Sequence, residues 1–188
     1  MTSRLAIGSD TQLCGIALHP AGHTRSPAMH NAAFAAMGID ATYLAFDVPP
    51  EDLSAAITGM RALGIRQLAI SIPHKESVIA LLDDVDETAR RIGAVNTVTR
   101  RGAKLVGSNT DWLGAVRAIE SVTALANTRA VVLGAGGAAR AVVYGLLSEG
   151  AARIDVWNRH GERATALLEE FRDLAPDTAL EAVAVPRL

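Results

Sequence analysis

The sequence predicts an α/β fold in two domains, residues 1–124 and 125–188, and three observations predict it. Short apolar runs of strand length alternate with segments of helical period, the rhythm of βαβ units on a mainly parallel sheet. A polar joint, LANTR at residues 125–129, interrupts that rhythm. After the joint the pattern restarts as strand, glycine-rich turn, helix and strand, which is how a doubly wound sheet begins.

Taken in order, LCGIAL reads as the first strand. SPAMHNAAFAAMG reads as a helix, with Ser26 as N-cap and Pro27 at the first helical position. ATYLAFD is a strand, PPEDLSAAITGMRALG a helix, and RQLAISI a strand that Pro73 ends. LLDDVDETARRIG is read as an acidic helical stretch, and AVNTVTRRGAKLVGSN as two short strands around a turn at Arg101-Gly102. A helix runs from about residue 111 to about residue 124. Beyond the joint, RAVVL, GAGGAARAVVYGLLSEG, ARIDVWN, RHGERATALLEEFRDL and LEAVAV give β-α-β-α-β. That is one mononucleotide half of a Rossmann fold, whose complete form has two. The second domain is therefore expected to be incomplete.

Composition narrows the classes of function. A chain of 188 residues, 49% hydrophobic and with net charge -2, suits a globular protein. It has no basic surplus, which argues against nucleic acid or an anionic membrane as partner. Cys14 is the only cysteine, so neither a disulfide nor a cysteine metal cluster is expected, and no metal site is predicted. MTSRLAIGSD lacks the apolar run of a signal peptide, and the apolar region 130–147 is broken by glycines and Arg140. The expectation is a cytoplasmic protein, monomer or homodimer, with a small-molecule partner.

Gly134, Gly136 and Ala139 fit G-x-G-x-x-G/A directly after a strand and at the mouth of a helix. In that context Gly134, Ala135, Gly136, Gly137, Ala138 and Ala139 are expected to bring backbone N–H groups to a pyrophosphate. The alternative is a glycine-rich turn of an ordinary core. The second strand ends in Trp157-Asn158-Arg159, with no acid for a ribose hydroxyl, and Asp155 lies too early. Arg159, with Arg163 one turn on, suits a 2'-phosphate, so NADP is favoured over NAD; two arginines on a solvated helix start are the plainer alternative.

Polar loops mark the first domain. Thr24 and Ser26 place two hydroxyls beside helix N–H groups, a site for a small anion such as a carboxylate; alternatively Ser26 only caps its helix. Lys75 follows the strand ending in ISI, in a chain with sixteen Arg and two Lys. An amine can release a proton where a guanidinium cannot. Asn96 in GAVNT and Asn109-Thr110-Asp111 in GSNTD are further polar groups at strand ends, and each could simply hold a turn or cap a helix.

Taken together, HTRSPAMHN, SIPHK, GAVNT, GSNTDWLG, GAGGAAR and NRHGERA resemble the shikimate dehydrogenase family (shikimate/quinate 5-dehydrogenases) in order and approximate spacing. DTQLCGIAL and RALGIRQLAISIPHKE look closer still to its shikimate dehydrogenase-like branch. The resemblance implies NADP-dependent, reversible reduction of 3-dehydroshikimate to shikimate, a step of the shikimate pathway in aromatic amino acid biosynthesis. It assigns Thr24 and Ser26 to the substrate carboxylate. Ser71, Lys75, Asn96 and Asp111 go to the ring hydroxyls and the reacting oxygen, with Lys75 and Asp111 catalytic. Residues 1–124 would then be the substrate-binding domain and residues 125–188 the NADP-binding one. The pattern also differs in places. Ala69 stands where the family has an asparagine, Thr24 where a serine is usual, and His160 where a threonine is usual. No counterpart of the family's second Rossmann half is visible, so a fragment or shortened copy is expected. Quinate or another cyclohexane polyol, or a non-catalytic ligand-binding module, is the alternative.

Overall fold

The structure is a computed structural model and describes residues 7–184. The chain divides into two compact units, Met1–Ala89 with Val95–Ser108, and Arg90–Ala94 with Asn109–Leu188. It therefore passes from one unit to the other three times.

In the first unit, β1 (Gln12–Leu18), β2 (Ala41–Asp47), β3 (Gln67–Ile70), β4 (Asp84–Val85), β5 (Thr97–Arg101) and β6 (Lys104–Ser108) form one sheet in the order β2-β1-β3-β5-β6-β4. The β1–β2, β1–β3 and β4–β6 pairs are parallel, whereas β3–β5 and β5–β6 are antiparallel. The sheet is thus mixed rather than mainly parallel, because a two-residue turn after Arg101 folds β6 straight back on β5. Alternate residues of β1 face opposite ways. Cys14, Ile16 and Leu18 pack with Tyr43 and with Phe34 of α1 (Ser26–Met37). Ala17 joins Leu68, Ile70, Val98 and Leu105 and the buried stripe Leu53, Ile57 and Met60 of α2 (Leu53–Ala62).

The acidic stretch 81–93 is not one helix. A 3₁₀ turn (Ser77–Leu81), β4 and the short α3 (Glu87–Ile92) share it. The carboxylates are the reason, since they take backbone N–H groups that a helix would need. Asp83 accepts from the N–H of Leu105 at 2.6 Å, and Asp84 from that of Val85 at 2.8 Å. Asp86 accepts from the N–H of Ala89 at 2.7 Å and so caps α3. The Leu105 N–H and the Arg61 guanidinium hold the Asp83 carboxyl below its ordinary range.

In the second unit, β7 (Arg129–Leu133), α5 (Gly137–Ser148), β8 (Arg153–Trp157), α6 (Gly161–Phe171) and β9 (Ala179–Ala182) alternate as read from the sequence. Their sheet, β7-β8-β9, is wholly parallel. The last strand is shorter than LEAVAV, and Val185 lies outside the described residues. Val132, Val143, Ile154, Val156, Leu167 and Phe171 supply its core. The helix α4 (Asp111–Glu120) stops four residues before the expected end and packs on α5 in this second unit. Gly145 permits the approach, since a Cβ there would sit 2.8 Å from a Val116 methyl. The division between compact units therefore falls at Ser108/Asn109, ahead of the polar joint. Among the described residues no helix is long and apolar enough to cross a membrane, and no cluster of His, Cys, Asp or Glu could hold a metal ion.

Candidate functional site

Strand direction gathers Ser71, Lys75 and Asn96 at one end of the central strands of the first unit's sheet. Because β5 runs antiparallel to β3, the start of β5 meets the end of β3, and the Ile70 N–H donates to the Asn96 carbonyl at 2.7 Å. Ser71 continues from β3, with its N–H on the Ala17 carbonyl at 3.0 Å. Lys75 follows in a tight loop whose backbone is held on both sides. The His74 N–H donates to the Ser71 carbonyl at 2.8 Å, and the Val95 N–H donates to the Lys75 carbonyl at 2.8 Å. Ser71, Lys75 and Asn96 are all half-buried, open enough to meet a ligand and fixed enough to aim at it.

The segment after β1 carries Thr24 and Ser26. Ser26 is not the N-cap of α1. Arg25 occupies that position with helical angles, and Ser26 and Pro27 are the first two helical residues. The reason is local: Thr24 Oγ1 accepts from the Ser26 N–H at 3.2 Å, closing a turn one step earlier. The Ser26 hydroxyl is thereby not needed as a cap.

Three histidine and asparagine side chains not singled out from the sequence hold the segments that carry these candidates. The His30 Nδ1–H donates to the Ser26 carbonyl at 2.9 Å, and the His30 ring stacks on Tyr43 at 4.1 Å between centroids. Asn31 exchanges two hydrogen bonds of 2.9 Å with the Tyr43 backbone, pinning α1 to β2. His74, 1% exposed, donates from Nε2 to the Val48 carbonyl at 2.7 Å and anchors the Lys75 loop. The sequence signal for the first was its spacing, four residues past Ser26 on a helix. Burial pushes the Tyr43 phenol up to about 12.

Asp111 opens α4 in the second unit, with its N–H on Asn109 Oδ1 at 2.9 Å. In the same unit Gly134 follows β7 at φ +117, a conformation side chains disfavour, and its N–H donates to the Trp157 carbonyl at 2.7 Å. Gly136 is the extended N-cap of α5, whose first turn carries no acid, and Ala139 is buried against the core. Gly134 to Ala139 therefore make a tight turn into a helix N-terminus, as a pyrophosphate requires. Asn158 and Arg159 follow β8, and Asn158 Oδ1 accepts from the His160 N–H at 2.9 Å. Arg159 and Arg163 are both exposed. Asp155 lies within β8, engaged by Arg153 at 2.8 Å, so it offers no carboxylate at the strand end. These residues fit a 2'-phosphorylated dinucleotide. Arg159→Ala should weaken NADPH binding by roughly tenfold or more while leaving NADH within about threefold, as fluorescence titration would show. Equal weakening of both would end the 2'-phosphate assignment.

A parallel β-α-β-α-β unit with a glycine turn after its first strand defines the class of Rossmann-type dinucleotide-binding domains. Known proteins take this further. A family model described as the shikimate dehydrogenase substrate binding domain matches residues 16–98, and one described as shikimate / quinate 5-dehydrogenase matches residues 117–184. The chain belongs to the shikimate dehydrogenase family. It is 54% identical over 161 residues to a shikimate dehydrogenase (NADP(+)) of Symbiobacterium thermophilum, covering 85% of this chain and 55% of that relative. The shikimate dehydrogenase structure from Aquifex aeolicus superposes with TM-score 0.89 at 41% identity, covering 96% of this chain and 65% of that one. The ligand-free 5-ketofructose reductase of Gluconobacter sp. strain CHM43 superposes with TM-score 0.83 at 36% identity, with the same coverages. The chain thus spans less than two-thirds of the length of these relatives.

Proposed function

We propose that this chain carries the substrate site and the NADP-binding turn of an NADP-dependent oxidoreductase that reversibly reduces 3-dehydroshikimate to shikimate. The observation that carries the reading is the meeting of the end of β3 with the start of β5 in the first unit. Ser71, Lys75 and Asn96 follow or adjoin these strand ends, and the Thr24–Ser26 turn lies on the segment that follows the neighbouring strand β1. In this reading residues 1–124 serve substrate and residues 125–188 serve the cofactor. Thr24 and Ser26 hold the substrate carboxylate, with hydroxyls next to the first turn of α1. Ser71 and Asn96 take ring hydroxyls, each from a backbone fixed by the sheet. Bound NADPH supplies the hydride. Lys75 neutralises the charge that builds on the carbonyl oxygen and delivers a proton to it, and Asp111 is the second catalytic residue of this reading.

A second reading, turnover of quinate or another polyol, is favoured by Ala69. This residue packs with Cys14, Ile16, Leu18 and Tyr43 and offers no polar atom where an asparagine would read hydroxyls. The likeness to a 5-ketofructose reductase supports the same direction. Following reduced-nicotinamide absorbance with shikimate or quinate, each with NADP or NAD, separates the readings. The expected result is fastest turnover with shikimate and NADP, and a further gain of about 2–10-fold in kcat/KM for shikimate in Ala69→Asn, the worth of one hydrogen bond. Faster turnover of quinate would favour the second reading. No turnover with retained shikimate binding would make the chain a ligand-binding module.

A further inference from the structure

Three polar side chains are buried among the described residues, His74, Asn109 and Arg140, and the last two converge on one short segment of the second unit. Arg140 Nε donates to the Ile92 carbonyl at 2.8 Å, and Asn109 Nδ2 donates to the Ala94 carbonyl at 2.8 Å. Gly93 lies between them at φ +70, and a Cβ on it would stand 2.4 Å from Arg140 Nη2 and 2.9 Å from Nε. Only glycine lets the guanidinium lie this close to the segment. The same guanidinium pairs with Glu170 and lies 6.0 Å from the Phe171 ring centroid, so α6 holds it from the other side.

Both ends of this arrangement reach groups with assigned roles. Arg140 sits in the first turn of α5, its own N–H on the Gly136 carbonyl at 3.0 Å, within the glycine turn. Asn109 uses its remaining amide atom, Oδ1, to accept from the Asp111 N–H. A continuous path runs from the glycine turn through Arg140 to Ile92, Gly93 and Ala94, and through Asn109 to Asp111. Each link is a hydrogen bond, a covalent step or a close contact, and the two side chains that make it, Arg140 and Asn109, are buried, where loss of a partner is most damaging.

We propose that Arg140 and Asn109 are positioning residues for Asp111, fixing it relative to the dinucleotide turn through the Arg90–Ala94 segment. The proposal rests on the reading above for its effect on turnover, but not for its effect on structure. A clamp that only stabilised the fold would lower protection everywhere and leave the two residues energetically independent.

The test combines amide hydrogen exchange with a double-mutant cycle on the protein carrying Arg140→Met, Asn109→Ala, both together, or Arg140→Lys. Arg140→Met should speed exchange at the Asp111 amide roughly tenfold or more relative to Ile154 and Val156 in β8, although the two residues do not share a hydrogen bond. Each single change should lower kcat roughly tenfold or more with the shikimate Kd within about threefold, and the double variant should be no worse than the poorer single one. Arg140→Lys keeps the charge but not the fork, and should restore protection at Asp111 only in part; it also serves if Arg140→Met does not fold. Unchanged Asp111 protection in the Arg140 variant, or effects that multiply in the double variant, would overturn the proposal. If the wild type shows no turnover, the functional reading fails while exchange at Asp111 still decides the positioning role.

Discussion

Replacing Lys75 by alanine is expected to lower kcat roughly 10²–10⁴-fold while the shikimate Kd rises far less. The asymmetry follows from when the ammonium acts. In either ground state the substrate oxygen is neutral, a carbonyl in the ketone and a hydroxyl in the alcohol. As hydride arrives that oxygen becomes an alkoxide, and only then does a positive donor become worth several kcal/mol. The backbone that carries Lys75 is fixed, since its loop is held by His74 on the Val48 carbonyl and by the Val95 N–H on the Lys75 carbonyl. Lys75→Arg should recover little, because a guanidinium stabilises charge but does not release the proton. Paired measurements of kcat by absorbance and Kd by calorimetry check this. Equal loss of affinity with unchanged kcat would show that Lys75 only binds.

Gly93→Ala should destabilise the protein by about 3 kcal/mol or more, read as a lower midpoint in urea with unchanged slope. Two effects combine there. The positive φ of 70° disfavours any side chain, and the new Cβ would drive the buried Arg140 off the Ile92 carbonyl. Gly102→Ala separates them, because Gly102 has a similar φ of 63° with nothing within 4 Å of the added carbon. That control should lose only about 1–2 kcal/mol, the conformational part alone. Similar losses at both positions would mean that the Arg140 contact contributes nothing.

The legible parts of the fold were those governed by period and by turn chemistry. RAVVL became β7 residue for residue, and ATYLAFD became β2, because an apolar run bounded by turn residues has few other ways to fold. The acidic stretch misled for a physical reason. Asp83, Asp84 and Asp86 bind backbone N–H groups, two of them locally and one across to Leu105, and no helical period records that competition. Ser26 misled by one residue, since Thr24 closes the turn first.

At the site, Lys75 and the glycine turn stood out because their residue types are chemically rare at such places in the pattern. Arg140 was read only as a charge interrupting an apolar run. Its burial depends on Gly93, forty-seven positions earlier, and on Glu170, thirty positions later, and such long-range partners leave no local trace. His30 and His74 were passed over likewise, because their hydrogen bonds are to backbone carbonyls, which every sequence supplies.

The central claim is that the first unit, through Thr24, Ser26, Ser71, Lys75 and Asn96, recognises a carboxylated cyclohexane polyol. Calorimetric titration of shikimate into the wild-type protein and into Ser26→Ala tests it most directly. The account predicts saturable binding at one site, weakened roughly tenfold in Ser26→Ala and likewise when the methyl ester replaces shikimate, since both remove the carboxylate's hydrogen bonds. Absence of binding to the wild type, or binding indifferent to both changes, would contradict it.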